Sequence, residues 1–75
     1  MKNTIESAIS ESLETYFRTL EDVLPRGVYE LVLSQVEPAM LKTVMAYAQE
    51  NQSEAARILS ISRNTLRQLL KKYHL

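Results

Sequence analysis

The 75-residue chain contains no cysteine and no tryptophan, one glycine and one histidine. Without cysteine it can form neither a disulfide nor a thiolate-bound metal site, and His74 cannot hold a metal ion by itself. Gly27, Pro25 and Pro38 are too few turn-formers for a β protein of this size, so composition alone points to an all-α fold. No apolar run approaches the ~20 residues that a bilayer-spanning helix needs. The opening segment MKNTIESAIS lacks the apolar core of a signal peptide. A cytoplasmic protein with no membrane partner is the expectation. The sequence offers no carboxylate pair, nucleophile–base pair or glycine-rich phosphate loop, so no enzymatic activity, cofactor or small-molecule substrate is expected.

A single domain of this length buries only about 60–65% of the surface its unfolded chain exposes. Small domains offset that deficit with disulfides, metals or a partner subunit. The first two are excluded here, which leaves oligomerisation.

Acid is missing from the last third of the chain. Residues 1–54 set four bases (Lys2, Arg18, Arg26, Lys42) against all nine acids, net −5. Residues 55–75 carry five bases (Arg57, Arg63, Arg67, Lys71, Lys72) and no acid, net +5. The formal charge of zero therefore conceals a basic binding end on an acidic body.

The hydrophobic pattern predicts four helices. In residues 3–20, Ile5, Ile9, Leu13, Tyr16, Phe17 and Leu20 recur at spacings of three and four and form one stripe. Asn3 or Thr4 can cap its start, with Glu6 closing a capping box on Asn3. Glu21–Gly27 breaks the pattern, because the residue before Pro25 is pushed away from helix and Gly27 is free to turn. Residues 28–48 form a longer helix whose apolar side chains point in almost every direction, so it must be buried on several sides. The chain is too short to cover it, and a second copy is the most economical partner. Pro38 is expected to kink this helix. Residues 51–59 and 62–73 form a pair of short helices joined through Leu59–Ser62.

The run from Gln52, QSEAARILSISRNTLRQLLKKY, has the pattern of a helix-turn-helix. Ala56 falls where the two helices cross and only a small side chain fits. Leu59, Ile61, Leu66 and Leu69 or Leu70 fall where the helices pack together. Ser60 holds the turn position at which glycine is commonest, and Ser62 can cap the last helix. Arg63, Arg67 and Lys71 lie four apart on one outer stripe, suited to the major groove, and arginine matches guanine O6 and N7. Thr65, Asn51 and Ser53 can donate to phosphates, as can helix N-terminal N–H groups. Plainer readings stand beside these. The basic stripe could be a solvated face, Ser62 and Asn51 could be caps only, Met40 and Met45 are expected as core filler, and the four tyrosines as packing residues with wet hydroxyls.

At these residues the chain resembles the Fis (factor for inversion stimulation) family of bacterial nucleoid proteins. The resemblance rests on YELVLSQVE (Tyr29–Glu37), LKTVMAYAQENQSEAA and ISRNTLRQLLKKY, and covers roughly residues 5–75. It implies one domain over 1–75, with residues 1–48 as dimerisation helices and 49–75 as the DNA-binding segment, in an intertwined homodimer. It implies a dimer core of Leu13, Phe17, Leu20, Leu31, Val32, Leu33, Val36, Leu41, Val44 and Met45. It implies DNA contacts at Asn51, Ser53, Ser62, Arg63, Thr65, Arg67, Lys71 and Lys72, with Arg63 the principal base reader.

The implied function is a DNA-binding and DNA-bending transcriptional regulator that prefers A/T-rich centres, where a compressible minor groove is read as shape. RNA polymerase is a candidate protein partner, and the nucleoid the expected location. The alternatives are the C-terminal module of an NtrC-type activator, which shares this helix-turn-helix, and a helical interaction module that does not bind DNA. Met1 just before the first helix favours a free-standing protein over the activator module. Several residues depart from the family pattern. Ser62 stands where Asn is usual, Gln68 and Leu69 where bases are frequent, Glu54 near the phosphates should weaken binding, and Pro38 comes one place early. The family's β-hairpin arm ahead of the first helix has no counterpart here, so stimulation of recombination is not expected.

Overall fold

A computed structural model describes residues 4–75. Four α-helices follow one another: α1 (Thr4–Leu20), α2 (Val28–Tyr47), α3 (Gln52–Leu59) and α4 (Arg63–Lys72). The all-α, four-helix reading of the sequence holds. The cap expected at Asn3 lies outside the described residues.

The joints follow from local chemistry. Gly27, at φ 68°, precedes α2 in the left-handed region, and its carbonyl accepts the Leu31 N–H at 3.0 Å. The helix then continues through Pro38 without a break. What the proline removes is an N–H that would have bonded the Ser34 carbonyl one turn earlier.

The C-terminal ends of α2, α3 and α4 share one closing pattern, each at a residue other than glycine. After α3, the Ile61 N–H donates to the Ala56 carbonyl and the Ser60 N–H to that of Arg57, both at 3.1 Å. Ser60 is left-handed at φ 58°. Gln49 after α2 and His74 after α4 close the same way, at φ 55° and 58°. This is the Schellman arrangement, in which glycine is usual because a Cβ there costs about 1–2 kcal/mol. Ser60→Gly is therefore expected to stabilise the protein. Glycine's extra unfolded-state entropy offsets part of the gain, leaving up to about 1 kcal/mol, or a Tm rise of roughly 4–8 °C. Thermal circular dichroism at fixed protein concentration measures it.

The core lies between the second half of α2 and the last two helices. Leu41 and Met45 of α2 and Ala48 just after it meet Ala55 and Ala56 of α3 and Leu66 and Leu70 of α4. Leu41, Ala55 and Leu66 are wholly buried. Ala56, 4% exposed, sits in this core as a small side chain at the crossing should. Leu59, Ile61 and Leu69 pack around it. Two expected members of a shared dimer core, Leu41 and Met45, are thus already covered inside one chain, and Val44 packs against them. Met40 is 39% exposed and does not fill the core.

The N-terminal half is different. α1 has no buried residue. Its stripe, with Phe17 still 42% exposed, faces an open groove of about 340 Å³ against α2, lined by Ile9, Leu13, Tyr16, Leu31, Val32 and Val36. The radius of gyration is 15.2 Å, against roughly 11 Å for a compact chain of this length. The accessible surface is 6156 Å², against roughly 4,700 Å² for a closed monomer of this mass. The subunit is therefore open by roughly 1,500 Å² more than a self-sufficient domain.

Candidate nucleic-acid interface

The helix-turn-helix is held by two side-chain caps. Asn51 Oδ1 accepts the Glu54 N–H at 3.1 Å and starts α3. Ser62 Oγ accepts the Thr65 N–H at 3.0 Å and starts α4. Each cap satisfies an N–H that the first helical turn leaves without an intrahelical partner. The Glu54 carboxylate stands 3.6 Å from Arg57 Nη2, an exposed pair worth little in stability that partly neutralises the one acid of α3.

The two N-termini come together at one point. Arg63 Nη1 donates to Ser53 Oγ at 3.4 Å, so the first residue of α4 reaches across to the first turn of α3. The Ser62 hydroxyl also donates to Thr65 Oγ1 at 2.9 Å, so its proton is used inside the structure. Thr65 accepts that bond and keeps its own hydroxyl proton for an outside acceptor. The Asn51 amide N–H₂ is likewise not used by the cap, which engages only the oxygen.

Along α4, Leu66 and Leu70 are buried while Arg63, Arg67 and Lys71 are exposed. At about 100° per residue the three cations form a ridge beside the buried face. Asn64 and Gln68 are exposed as well, and on the same wheel they lie next to the ridge. The sequence pattern drew attention to Gln68 only as a missing base and to Asn64 not at all, because neither carries charge, although amides can read adenine edges; projection of α4 on a helical wheel would have found both.

Lys72 stands apart from the ridge. Its Nζ is 3.9 Å from Glu37 Oε1 on α2 and 5.3 Å from the centre of the Tyr73 ring. The Tyr73 hydroxyl was expected to end in water and does not. It donates to the Glu37 carboxylate and, at 3.5 Å, to the Leu33 carbonyl. The bond to Glu37, aided by partial burial and the nearby charges of Glu37 and Glu30, pushes the phenol up to about 12. Nothing in the local sequence marks this pairing, because its partners are 36 and 40 positions apart.

No helix among the described residues is long and apolar enough to cross a membrane. The family profile described as bacterial regulatory protein, Fis family, matches residues 32–73. A Fis-like protein of Ralstonia nicotianae is 47% identical over 74 residues, 99% of this chain and 96% of that protein. DNA-binding protein Fis of Actinobacillus succinogenes is 44% identical over 69 residues, 92% of this chain and 70% of its own length. DNA-binding protein Fis of Proteus mirabilis is 41% identical over the same shares.

Proposed function

The chain belongs to the Fis family of bacterial regulatory proteins, and from that premise we propose that it is a DNA-binding regulator that engages double-stranded DNA as a homodimer. One observation carries the reading. The exposed face of α4 presents Arg63, Arg67 and Lys71 beside a junction of two capped helix N-termini, in the stretch after Glu54 that carries five bases and no acid. Such a helix enters the major groove with its N-terminal end against the bases.

In this reading Arg63 takes a guanine edge. Arg67, Lys71, Thr65, Ser53 and Asn51 hold phosphates, as does Lys72 once a phosphate competes with Glu37 for its ammonium group. Ser62, whose hydroxyl is doubly used, serves mainly as the cap. The dimer is supported by the open groove along α1 and by the excess surface. Closing roughly 1,500 Å² on each of two subunits falls within the range of obligate homodimer interfaces. Leu13, Phe17, Leu20, Leu31, Val32, Leu33 and Val36 would line it. Two readers set closer than one DNA turn, as the family resemblance implies, require a duplex that bends between them, hence an A/T-rich centre. The nucleoid in the cytoplasm is the matching location, and RNA polymerase a candidate partner. The activator-module and interaction-module alternatives are not favoured, since these relatives are named as Fis or Fis-like DNA-binding proteins.

The test is fluorescence anisotropy with a duplex of about 25 base pairs, more than two DNA turns and long enough to carry both half-sites. Binding should weaken steeply with salt and exceed binding to a duplex with a G·C-rich centre. Equal binding to both would keep DNA binding and remove the bending mechanism. No binding at low salt would remove the DNA function.

A further inference from the structure

The subunit has two mechanical halves joined at Pro38. The core that carries the helix-turn-helix takes Leu41 and Met45 from α2 and Ala48 from its C-cap, all after the proline. The groove against α1 takes Leu31, Val32 and Val36, all before it. One helix must therefore transmit the position of the first half to the DNA reader, and Pro38 removes a backbone hydrogen bond at the joint itself. Continuous helix alone is a compliant connection at such a point, since sharp bends concentrate at prolines.

A second connection crosses the joint. From the end of α4, the Tyr73 hydroxyl reaches back over Pro38 to the Leu33 carbonyl and the Glu37 carboxylate. Lys72 flanks the same carboxylate at 3.9 Å and covers the Tyr73 ring. Glu30, about two turns nearer the start of α2, adds its charge to the same neighbourhood. Tyr73 and Glu37 are half-buried, which strengthens a charge-assisted bond relative to the exposed Glu54–Arg57 pair.

We infer that Tyr73 and Glu37 form a brace across the Pro38 joint that fixes the angle of the DNA reader on the dimerisation half, and that Glu37 is thereby a positioning residue for the spacing of the two readers. The spacing part rests on the DNA-binding dimer proposed above; the brace itself does not. The brace needs a hydrogen-bond acceptor at position 37 and a hydroxyl at position 73. The ion pair with Lys72 is secondary, because Lys72 is more than half exposed and distant enough for solvent to screen it.

Two readouts test the inference. The first is the ratio of affinities for duplexes with A/T-rich and G·C-rich centres. Tyr73→Phe and Glu37→Ala should lower that ratio roughly fivefold, the factor carried by one lost hydrogen bond, whereas Glu37→Gln, which keeps an acceptor, should retain it. The second readout needs no DNA. The chain has no native cysteine, so spin labels go only to Tyr29→Cys, 74% exposed before the joint, and Gln68→Cys on α4. Labelled chain diluted with unlabelled chain gives one intrachain distance. Its distribution should be narrow in the parent and in Glu37→Gln, and broadened in Tyr73→Phe and Glu37→Ala.

An unchanged distribution in Tyr73→Phe, which removes a single hydroxyl and keeps the ring, would overturn the brace. Broadening in Glu37→Gln as great as in Glu37→Ala would overturn the requirement for an acceptor. A broadened distribution with an unchanged affinity ratio would overturn the role in reader spacing. Should the parent protein bind neither duplex, the DNA reading fails, and the label distances still decide the brace.

Discussion

Arg63→Ala combined with Arg67→Ala is expected to leave a folded dimer that has lost nearly all sequence-dependent affinity for DNA. Both side chains are exposed, and neither packs in the core, so far-ultraviolet circular dichroism and Tm should barely move. The effect on binding is large because a dimer presents each residue twice. A good bidentate contact to a base is worth about 1–3 kcal/mol, so losing Arg63 from both readers costs roughly 30-fold at least and up to about 10⁴-fold. With Arg67 on a phosphate, as proposed, removing it from both readers should lower the slope of log affinity against log salt by about 2. The bond from Arg63 to Ser53 is long and exposed, and its loss is not expected to disturb the junction. An unchanged titration would sink the assignment of α4 as the reader.

Leu13→Asp is expected to abolish folding altogether, and with it DNA binding. Within one subunit this residue is only half-buried on a helix that has no buried residue. Judged from the isolated chain, the substitution should cost little. Judged from a dimer in which the α1–α2 groove is closed by a second copy, it places an unpaired carboxylate in an apolar interface, a penalty of several kcal/mol per subunit. A domain this small has only a few kcal/mol of stability in reserve. The two views therefore predict opposite outcomes, a folded monomer or an unfolded chain. Analytical ultracentrifugation with circular dichroism on Leu13→Asp separates them. A stable folded monomer would contradict the shared core.

Lys72 and Tyr73 show where sequence pattern stops being informative. The sequence places both at the end of a basic helix. Periodicity assigns Tyr73 to the core side and leaves Lys72 as one more cation. That both converge on Glu37 depends on how α4 lies across α2, which no local spacing encodes. The same limit applies to Leu41 and Met45. The all-round apolar character of α2 says that every face is covered but not by what. In the structure one end is covered by α3 and α4 of the same chain, while the other end stays open along α1.

The helices themselves were legible because their signals are local. Apolar spacing of three and four, Asn51 and Ser62 at the N-caps of α3 and α4, the Leu24-Pro25 break and the single glycine mark the four segments before any tertiary contact forms. The basic stripe of α4 and the small Ala56 at the crossing belong to the same class, since a helix of known register fixes which side chains share a face. Tertiary structure decided the rest. Burial of Leu66 and Leu70 turned the cationic ridge outward, and the caps at Asn51 and Ser62 brought Arg63 to Ser53. The path of α4 carried Tyr73 back across Pro38 to Glu37. These outcomes depend on which long-range contacts bury the most apolar surface at once, a quantity set by the whole chain rather than by any stretch of it.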